Sequence, residues 1–176
     1  MNPPIRGQTF VTRKITRDLA RIHEGLESHL HLGNLESLRD SGHARDYVRA
    51  QWLMLQHDKP DDFVIAKGEQ HSVREFVKRP GAILGMRFQW HGDGVNEEGV
   101  DTRTGRIVVK IDPRYFRPTE VETLLGDATN AWTQRGGQPE VSLDDLVKDT
   151  VASDLDGARR DAVIAREGFK TLRYQE

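Results

Sequence analysis

The sequence contains no cysteine, which excludes disulfides, thiolate nucleophiles and thiolate metal sites. This absence fits a reducing compartment. Apolar residues are also scarce, since 36% of the chain is hydrophobic, 31% is charged and the mean hydropathy is -0.67. Such a composition is polar for a domain of 176 residues. It predicts a hydrophobic core that is incomplete.

The chain has neither a strong net charge nor a long apolar run. Its 26 basic and 28 acidic residues leave a net charge of -2, so no overall field attracts nucleic acid or an anionic membrane. Any anion must therefore bind to a local cluster of basic residues. No apolar run approaches the roughly 20 residues that span a bilayer, and "MNPPIRGQTF" does not resemble a signal peptide. We expect a soluble, cytoplasmic protein that binds neither nucleic acid nor membrane.

Periodic apolar residues predict amphipathic helices over residues 9–23 and 44–56. Ser72, followed by Glu75, has the pattern of a capping box and predicts another helix start. Pro80 and the glycine after it should break or kink that helix. A last helix is predicted over residues 142–160, with a charged tail from Gly157 that should fray.

Short strands alternate with these helices. We predict a strand within "SHLHLGN" and a loop or short strand through Asp40. "MRFQWHG" and "GRIVVKID" are expected to form an antiparallel pair joined by the polar segment "DGVNEEGVDTRTG". The uninterrupted apolar run Phe63–Ala66 is typical of a parallel strand buried on both faces. The pattern is α/β, yet only this strand looks doubly buried, and the chain does not supply the parallel neighbours it needs.

The sequence contains no self-contained catalytic motif. It has no G-x-S-x-G elbow and neither a G-x-G-x-x-G nor a P-loop phosphate cradle. His29 and His31 alternate on a predicted strand, but no third ligand with recognisable spacing accompanies them. We therefore assign no catalytic residue and no metal site.

Two arginines stand where α/β folds bind ligands. Arg39 directly precedes a predicted helix, and Arg117 follows a strand within "DPRYFRPTE". A guanidinium offers a planar fork of donors that matches phosphate oxygens. From the residues alone, both arginines could instead pair with neighbours such as Asp40 and Glu120.

Arg6 and Lys14 have the same two interpretations. Lys14 lies one turn into a predicted helix, where an ammonium is unfavourable unless an anion sits nearby. From the residues alone, solvated charge is the better explanation of both residues.

Four segments together resemble the C-terminal half of the GDP-mannose 4,6-dehydratases, a family of the extended short-chain dehydrogenase/reductase superfamily. They are "IRGQTFVTRKITRDLARI", "LGNLESLRDSGHARDYVRAQWLMLQ", "DDFVIAKGEQHSVREFV" and "VKIDPRYFRPTEVETLLGDATNA". The resemblance implies the C-terminal substrate-binding part of an α/β, Rossmann-type fold whose N-terminal strands are missing. Residues 1–156 would form this portion, with a late Rossmann strand near 63–66, and residues 157–176 would form a charged C-terminal tail.

The resemblance also implies an NADP-dependent lyase that converts GDP-mannose to GDP-4-dehydro-6-deoxy-mannose, on the way to GDP-fucose or GDP-rhamnose. In this family NADP takes a hydride from C4 of the sugar and returns it to C6, while a carboxylate removes the C5 proton and water leaves. The family's catalytic Thr, Glu, Tyr and Lys lie in its N-terminal half, and no Y-x-x-x-K occurs here. The expected partners are GDP-mannose and either an N-terminal Rossmann half or further copies of the chain. Alone, the chain is expected to be inactive.

Specific positions inherit roles from this resemblance. Arg39, in "RD", and Arg117, in "RPTE", are assigned to the diphosphate, and Glu120 to the nucleoside. Arg6 is assigned to NADP. The complete set assigned to the GDP pocket is Val11, Lys14, Leu32, Asn34, Arg39, Arg117 and Glu120.

Two other functions stay open. The chain is alternatively a non-catalytic GDP-sugar-binding module or a degenerate gene fragment. Four departures from the family pattern favour the fragment. Ser41, Arg135 and Gly137 replace apolar residues of relatives, and Pro80 interrupts a helix that relatives continue.

Overall fold

The computed structural model describes residues 7, 10–56, 61–121, 123–129, 131 and 139–169. Arg6, Arg135 and Gly137 lie outside these residues. Within the described part, the helices are α1 (Val11–His23), α2 (Ala44–Leu55), α3 (Val73–Ile83) and α4 (Leu143–Arg166). The strands are β1 (Leu30–Leu32), β2 (Leu38–Asp40), β3 (Gln70–Ser72), β4 (Phe88–His91), β5 (Glu98–Asp101), β6 (Arg106–Ile111) and β7 (Thr123–Leu124).

The main sheet has four strands in the order β1-β6-β5-β4. β1 pairs with β6 in parallel, whereas the other neighbours are antiparallel. Helices α1, α3 and α4 pack against one another, and their apolar residues join those of this sheet in one core. Its most completely buried apolar side chains are Ile15, Leu19, Leu30, Val77, Val109, Val147 and Val151. A core built from three helices and one sheet confirms the α/β prediction.

A second, smaller sheet brings distant segments together. Its order is β3-β2-β7, and β2 pairs with β7 in parallel and with β3 in an antiparallel register. The parallel pairing sets Leu38 opposite Thr123 and Arg39 opposite Leu124. It therefore fixes Arg39 beside the segment that follows Arg117.

The predicted antiparallel pair of β4 and β6 is wrong, because β5 lies between them. The two buried positions of β5 are Gly99 and Asp101, so the strand shows no apolar alternation in the sequence. A side chain at position 99 would come within 2.9 Å of the Trp90 ring and 3.0 Å of Val109 Cβ. Glycine therefore lets β5 pass beneath the Trp90 ring.

The strand predicted at Phe63–Ala66 is also wrong. The structure assigns no strand to residues 61–67, and the Val64 side chain is 55% exposed. A strand buried on both faces needs hydrogen-bonded neighbours, and both described sheets are built from other segments. Ala66 is buried against Gly126, where an added Cβ would lie 2.5 Å from the Ala66 Cβ.

Helix α3 begins with the predicted capping box. The Ser72 hydroxyl accepts from the Glu75 N–H at 3.1 Å, and the Glu75 carboxylate accepts from the Ser72 N–H at 3.1 Å. Of the break or kink predicted at Pro80, the break is wrong, because α3 continues through Pro80 to Ile83. A proline removes one backbone donor from a helix. Pro80 lies in the last turn of α3, so little of the helix follows it. Pro80 and Gly81 are both buried.

The fraying predicted from Gly157 onward is wrong for helix α4. It runs unbroken through that glycine to Arg166, so no structural boundary falls at residue 157. Ala158 is buried, and Arg21 Nη1 in α1 donates to Asp161 Oδ2 at 2.5 Å. The charges that suggested a solvated tail lie on a helix with one buried stripe. No described helix is both long and apolar enough to cross a membrane.

Candidate functional site

All seven residues predicted for the GDP pocket line a single cleft of about 530 Å³. They come from α1, the exit of β1, β2 and the loop after β6. Arg6, the residue predicted for NADP, lies outside the described residues. The other residues of the lining are His31, Gly33, Ser37, Val73, Arg114 and Tyr115.

The exit of β1 is joined to the loop after β6 by two reciprocal hydrogen bonds. Asn34 Nδ2 donates to the Arg117 carbonyl at 2.9 Å, and the Arg117 N–H donates to Asn34 Oδ1 at 2.8 Å. Gly33 lies so close that an added Cβ would stand 2.2 Å from the Tyr115 carbonyl oxygen. The "LGN" segment therefore holds the wall of the cleft that carries Arg117.

Arg39, on β2, is held by three hydrogen bonds. Its Nη2 donates to Glu120 Oε1 at 2.7 Å, and its Nη1 donates to the Leu38 and Val121 carbonyls at 2.8 and 3.0 Å. The side chains of Arg39 and Glu120 are 27% and 19% exposed, so the pair is partly shielded from water. The structure thus contains the Arg39–Glu120 pair that the sequence left open.

Asp40 does not pair with Arg39. Its carboxylate accepts from the Lys67 and Gly68 N–H groups at 2.9 and 2.8 Å. Within the described residues, no carboxylate forms an ion pair with the exposed Arg117. The guanidinium of Arg117 therefore opens onto the cleft without a charged protein partner in that part of the chain.

Tyr115 lies between two cations. Lys14 Nζ is 4.2 Å and Arg114 Cζ is 5.5 Å from the centre of its ring, within the range of cation–π attraction. Arg114 also donates to both oxygens of Asp112, and these hydrogen bonds lower the pKa of the Asp112 carboxyl to about 2. Sequence reasoning missed Arg114 and Tyr115, although both stand in "DPRYFRPTE" beside the predicted Arg117.

The cleft lining is strongly basic. Four of its side chains are cations, namely Lys14, Arg39, Arg114 and Arg117, whereas Glu120 is its one carboxylate. The chain as a whole has a net charge of -2, so positive charge is concentrated here. Val11, Leu32 and Val73 supply apolar surface beside the cations. This combination suits a ligand that carries a polyanion and a flat, less polar group.

The two histidines considered for a metal are near each other on β1 and just before it. The ring centres of His29 and His31 are 6.1 Å apart. Burial, together with the charge of Lys110, lowers the pKa of His29. No cluster of three or more His, Cys, Asp or Glu residues suited to a metal occurs within the described part of the chain.

Two solved structures share the fold of this chain, which is the Rossmann-type fold of the extended short-chain dehydrogenases/reductases. The RMD protein of Pseudomonas aeruginosa, complexed with NADPH, aligns with a TM-score of 0.70 and 17% identity over 88% of this chain and 46% of its own. The dTDP-glucose 4,6-dehydratase of Bacillus anthracis, in complex with NAD, aligns with a TM-score of 0.65 and 13% identity over 91% and 43%. The fold is thus that of one part of such an enzyme.

Sequence comparison then identifies the family. Residues 1–150 match the profile described as GDP-mannose 4,6 dehydratase. The GDP-mannose 4,6-dehydratase of Vibrio cholerae is 50% identical over 94% of this chain and 47% of its own length. The human enzyme is 49% identical over 87% and 41%. The chain belongs to the GDP-mannose 4,6-dehydratase family, and it spans less than half the length of these relatives.

Proposed function

We propose that this chain supplies the GDP-sugar-binding half of a GDP-mannose 4,6-dehydratase, an NADP-dependent lyase. The reaction would convert GDP-mannose to GDP-4-dehydro-6-deoxy-mannose, a precursor of GDP-fucose or GDP-rhamnose. The observation that carries the proposal is the convergence of Arg39 and Arg117 in one basic cleft, from segments 78 positions apart in numbering, 39 to 117. Family membership supplies the identity of the ligand.

Each arginine would donate charge-assisted hydrogen bonds to the diphosphate. A guanidinium has five N–H donors, and the contacts of Arg39 with Glu120 and two carbonyls use three of them. The N–H of Nε and one N–H of Nη2 remain for phosphate oxygens. The ion pair with Glu120 therefore orients Arg39 and leaves it able to bind an anion.

The remaining lining would contact the nucleoside and the sugar. Lys14 adds a compact positive charge near Tyr115, and the carboxylate of Glu120 would accept from N–H groups of the guanine base. Val11 and Leu32 would pack against the less polar faces of the ligand. Asn34 would act indirectly, because both ends of its side-chain amide hold the Arg117 backbone.

The described residues do not form a dinucleotide cradle that would fit NADP. The sequence has no G-x-G-x-x-G turn, and Arg6 lies outside the described part of the chain. When bound, NADP would take up and return the hydride of the reaction. We expect the isolated chain to be inactive, because the family's catalytic Thr, Glu, Tyr and Lys lie in the N-terminal half.

Calorimetric titration of GDP into the wild type, Arg39→Ala and Arg117→Ala tests the binding role. Loss of one charge-assisted hydrogen bond is worth about 1.5 to 3 kcal/mol, so each substitution should weaken binding roughly tenfold to a hundredfold. Arg39→Lys should recover little of the loss, because a point charge cannot reproduce the planar fork. Arg106→Ala is the matched control, since Arg106 is exposed and lies outside the cleft.

Three outcomes separate the proposal from its alternatives. Unchanged GDP affinity in both arginine variants would overturn the assignment of the cleft. A non-catalytic binding module would bind GDP yet fail to support turnover with any Rossmann half. A degenerate fragment would bind no GDP. The cytoplasmic location and a homo-oligomeric state stay predictions.

A further inference from the structure

Lys14 carries its positive charge at an unfavourable place in the fold. It lies one turn into α1 and is only 7% exposed. The start of a helix repels a cation, and the first turn of α1 has neither an acidic residue nor a side-chain hydrogen bond from its N-cap, Phe10. Removal of an ammonium from water costs free energy unless its surroundings compensate. The Lys14 ammonium therefore needs neighbours that stabilise a positive charge.

The aromatic ring of Tyr115 is one of these neighbours. Lys14 Nζ lies 4.2 Å from the ring centre, and cation–π attraction is larger at a desolvated site than at an exposed one. The lysine side chain has a flexible four-carbon stem, whereas an aromatic side chain has only two torsion angles. The ring therefore limits the positions that the ammonium can take.

The backbone of Tyr115 is itself fixed by the exit of β1. The Tyr115 N–H donates to the Asp112 carbonyl at 2.9 Å, and the Asp112 N–H donates to the Leu32 carbonyl at 2.8 Å. Gly33 is in close contact with the Tyr115 carbonyl. The ring thus projects from a well-anchored segment, and the more flexible lysine packs against it.

Arg114 is less constrained by the ring than Lys14 is. Its Cζ is 5.5 Å from the ring centre, and its side chain is 79% exposed. Its guanidinium is also paired with the Asp112 carboxylate, since Nη2 donates to Oδ2 at 2.7 Å. Of the two cations beside Tyr115, Lys14 is the closer and the more deeply buried.

We propose that Tyr115 is a positioning residue of the GDP cleft, whose ring holds the Lys14 ammonium towards the bound nucleotide. Both residues line the cleft. The inference rests on the proposed function, because it requires GDP in this cleft. Tyr115 acts through Lys14, so loss of the ring should have no effect on GDP affinity once the ammonium is gone.

The first test needs no nucleotide. Lysine labelled with carbon-13 at Cε is incorporated, and the nuclear magnetic resonance signal of Lys14 is identified by its loss in Lys14→Arg. The ring current of Tyr115 should shift this signal upfield of the signal of Lys148, whose side chain is 66% exposed. The shift should persist in Tyr115→Phe and disappear in Tyr115→Leu. Coincident Lys14 and Lys148 signals in the wild type would overturn the proposal.

The second test is a double-mutant cycle on GDP affinity, measured by calorimetry. Tyr115→Leu should weaken binding by roughly fivefold to tenfold, and Tyr115→Phe, which keeps the aromatic face, should stay within about twofold of the wild type. In the Lys14→Met background, Tyr115→Leu should cause no further loss. Tyr47→Leu is the matched control, because Tyr47 is a partly buried tyrosine of α2 outside the cleft.

The cycle separates positioning from other roles of the ring. Additive losses from Lys14→Met and Tyr115→Leu would overturn the proposal, because the ring would then act on GDP independently of Lys14. Full affinity in Tyr115→Leu would overturn it as well. Failure of the proposed function has a different signature, since Arg39→Ala and Arg117→Ala would then bind GDP no differently from the wild type while the ring-current shift of Lys14 stayed in place.

Discussion

Asp101 is a buried carboxylate that holds the turn between β5 and β6. Its side chain accepts from the N–H groups of Arg87 and Arg103 at 3.0 and 3.3 Å and from the Thr104 hydroxyl at 3.0 Å. Burial opposes ionisation of this group, but the three hydrogen bonds outweigh it and lower the pKa of Asp101 below its ordinary value. The charged form is therefore the one that the fold favours.

A lowered pKa makes this contribution sensitive to acid. The stabilisation by Asp101 is complete above the ordinary carboxyl pKa, about 4, and is lost as pH falls through the lower pKa of the folded state. We expect Asp101→Asn to reduce stability at pH 7 and to flatten its decline in acid. Urea unfolding at a series of pH values checks this. Asp149→Asn, at an exposed position of α4, is the matched control.

The two arginines of the cleft should differ in their effect on stability. Arg39→Ala removes an ion pair and two hydrogen bonds to carbonyls, so we expect a loss of about 1 to 2 kcal/mol. Arg117→Ala removes no ion pair within the described residues and should leave the unfolding free energy unchanged. Chemical denaturation without nucleotide measures both. Equal losses would mean that Arg117 also has a structural role.

The helical structure of α4 around Gly157 can be tested by substituting that residue. Gly157 lies inside the helix, and an added Cβ would meet no atom within 4 Å. Gly157→Ala should stabilise the chain by about 1 kcal/mol through helix propensity. Gly25→Ala is the contrasting control, because Gly25 has φ +75° after α1 and alanine there should destabilise. A neutral Gly157→Ala would instead indicate a frayed helix end.

Elements with a local signal were predicted well. Helices α1 and α2 have apolar periodicity, and the Ser72 capping box sets the start of α3. The cleft residues were predicted through family resemblance. Spacing alone did not decide whether Arg39 and Arg117 bind a ligand or pair with neighbouring carboxylates.

Elements without such a signal were missed for physical reasons. Strand β5 buries Gly99 and Asp101, so its inward face is not apolar. Its sequence therefore resembles that of a polar loop between two strands. Residues 63–66 carry the composition of a doubly buried strand, but a strand also requires neighbours, which composition does not supply. The end of α4 is charged, yet its burial depends on contacts such as Arg21 with Asp161, 140 positions apart.

At the scale of the whole molecule, turnover should depend on a Rossmann portion. The isolated chain should consume no GDP-mannose with NADP present. A chimera in which this chain replaces the matching part of the Vibrio cholerae enzyme should produce the 4-dehydro sugar. In the chimera, Arg117→Ala should act chiefly on KM, because the residue would bind substrate without touching the reacting carbons. Product formed by the homogeneous isolated chain would contradict this division of roles.

The amide of Asn34 closes a loop of 83 positions when it binds the Arg117 backbone. Closing long loops is slow in folding, because chain entropy is lost before the contact forms. The cleft should therefore assemble after the barrier is crossed, and its residues should have low φ-values in folding kinetics. GDP would then slow unfolding and leave the refolding rate unchanged. Bound nucleotide would therefore increase the kinetic stability of the folded chain.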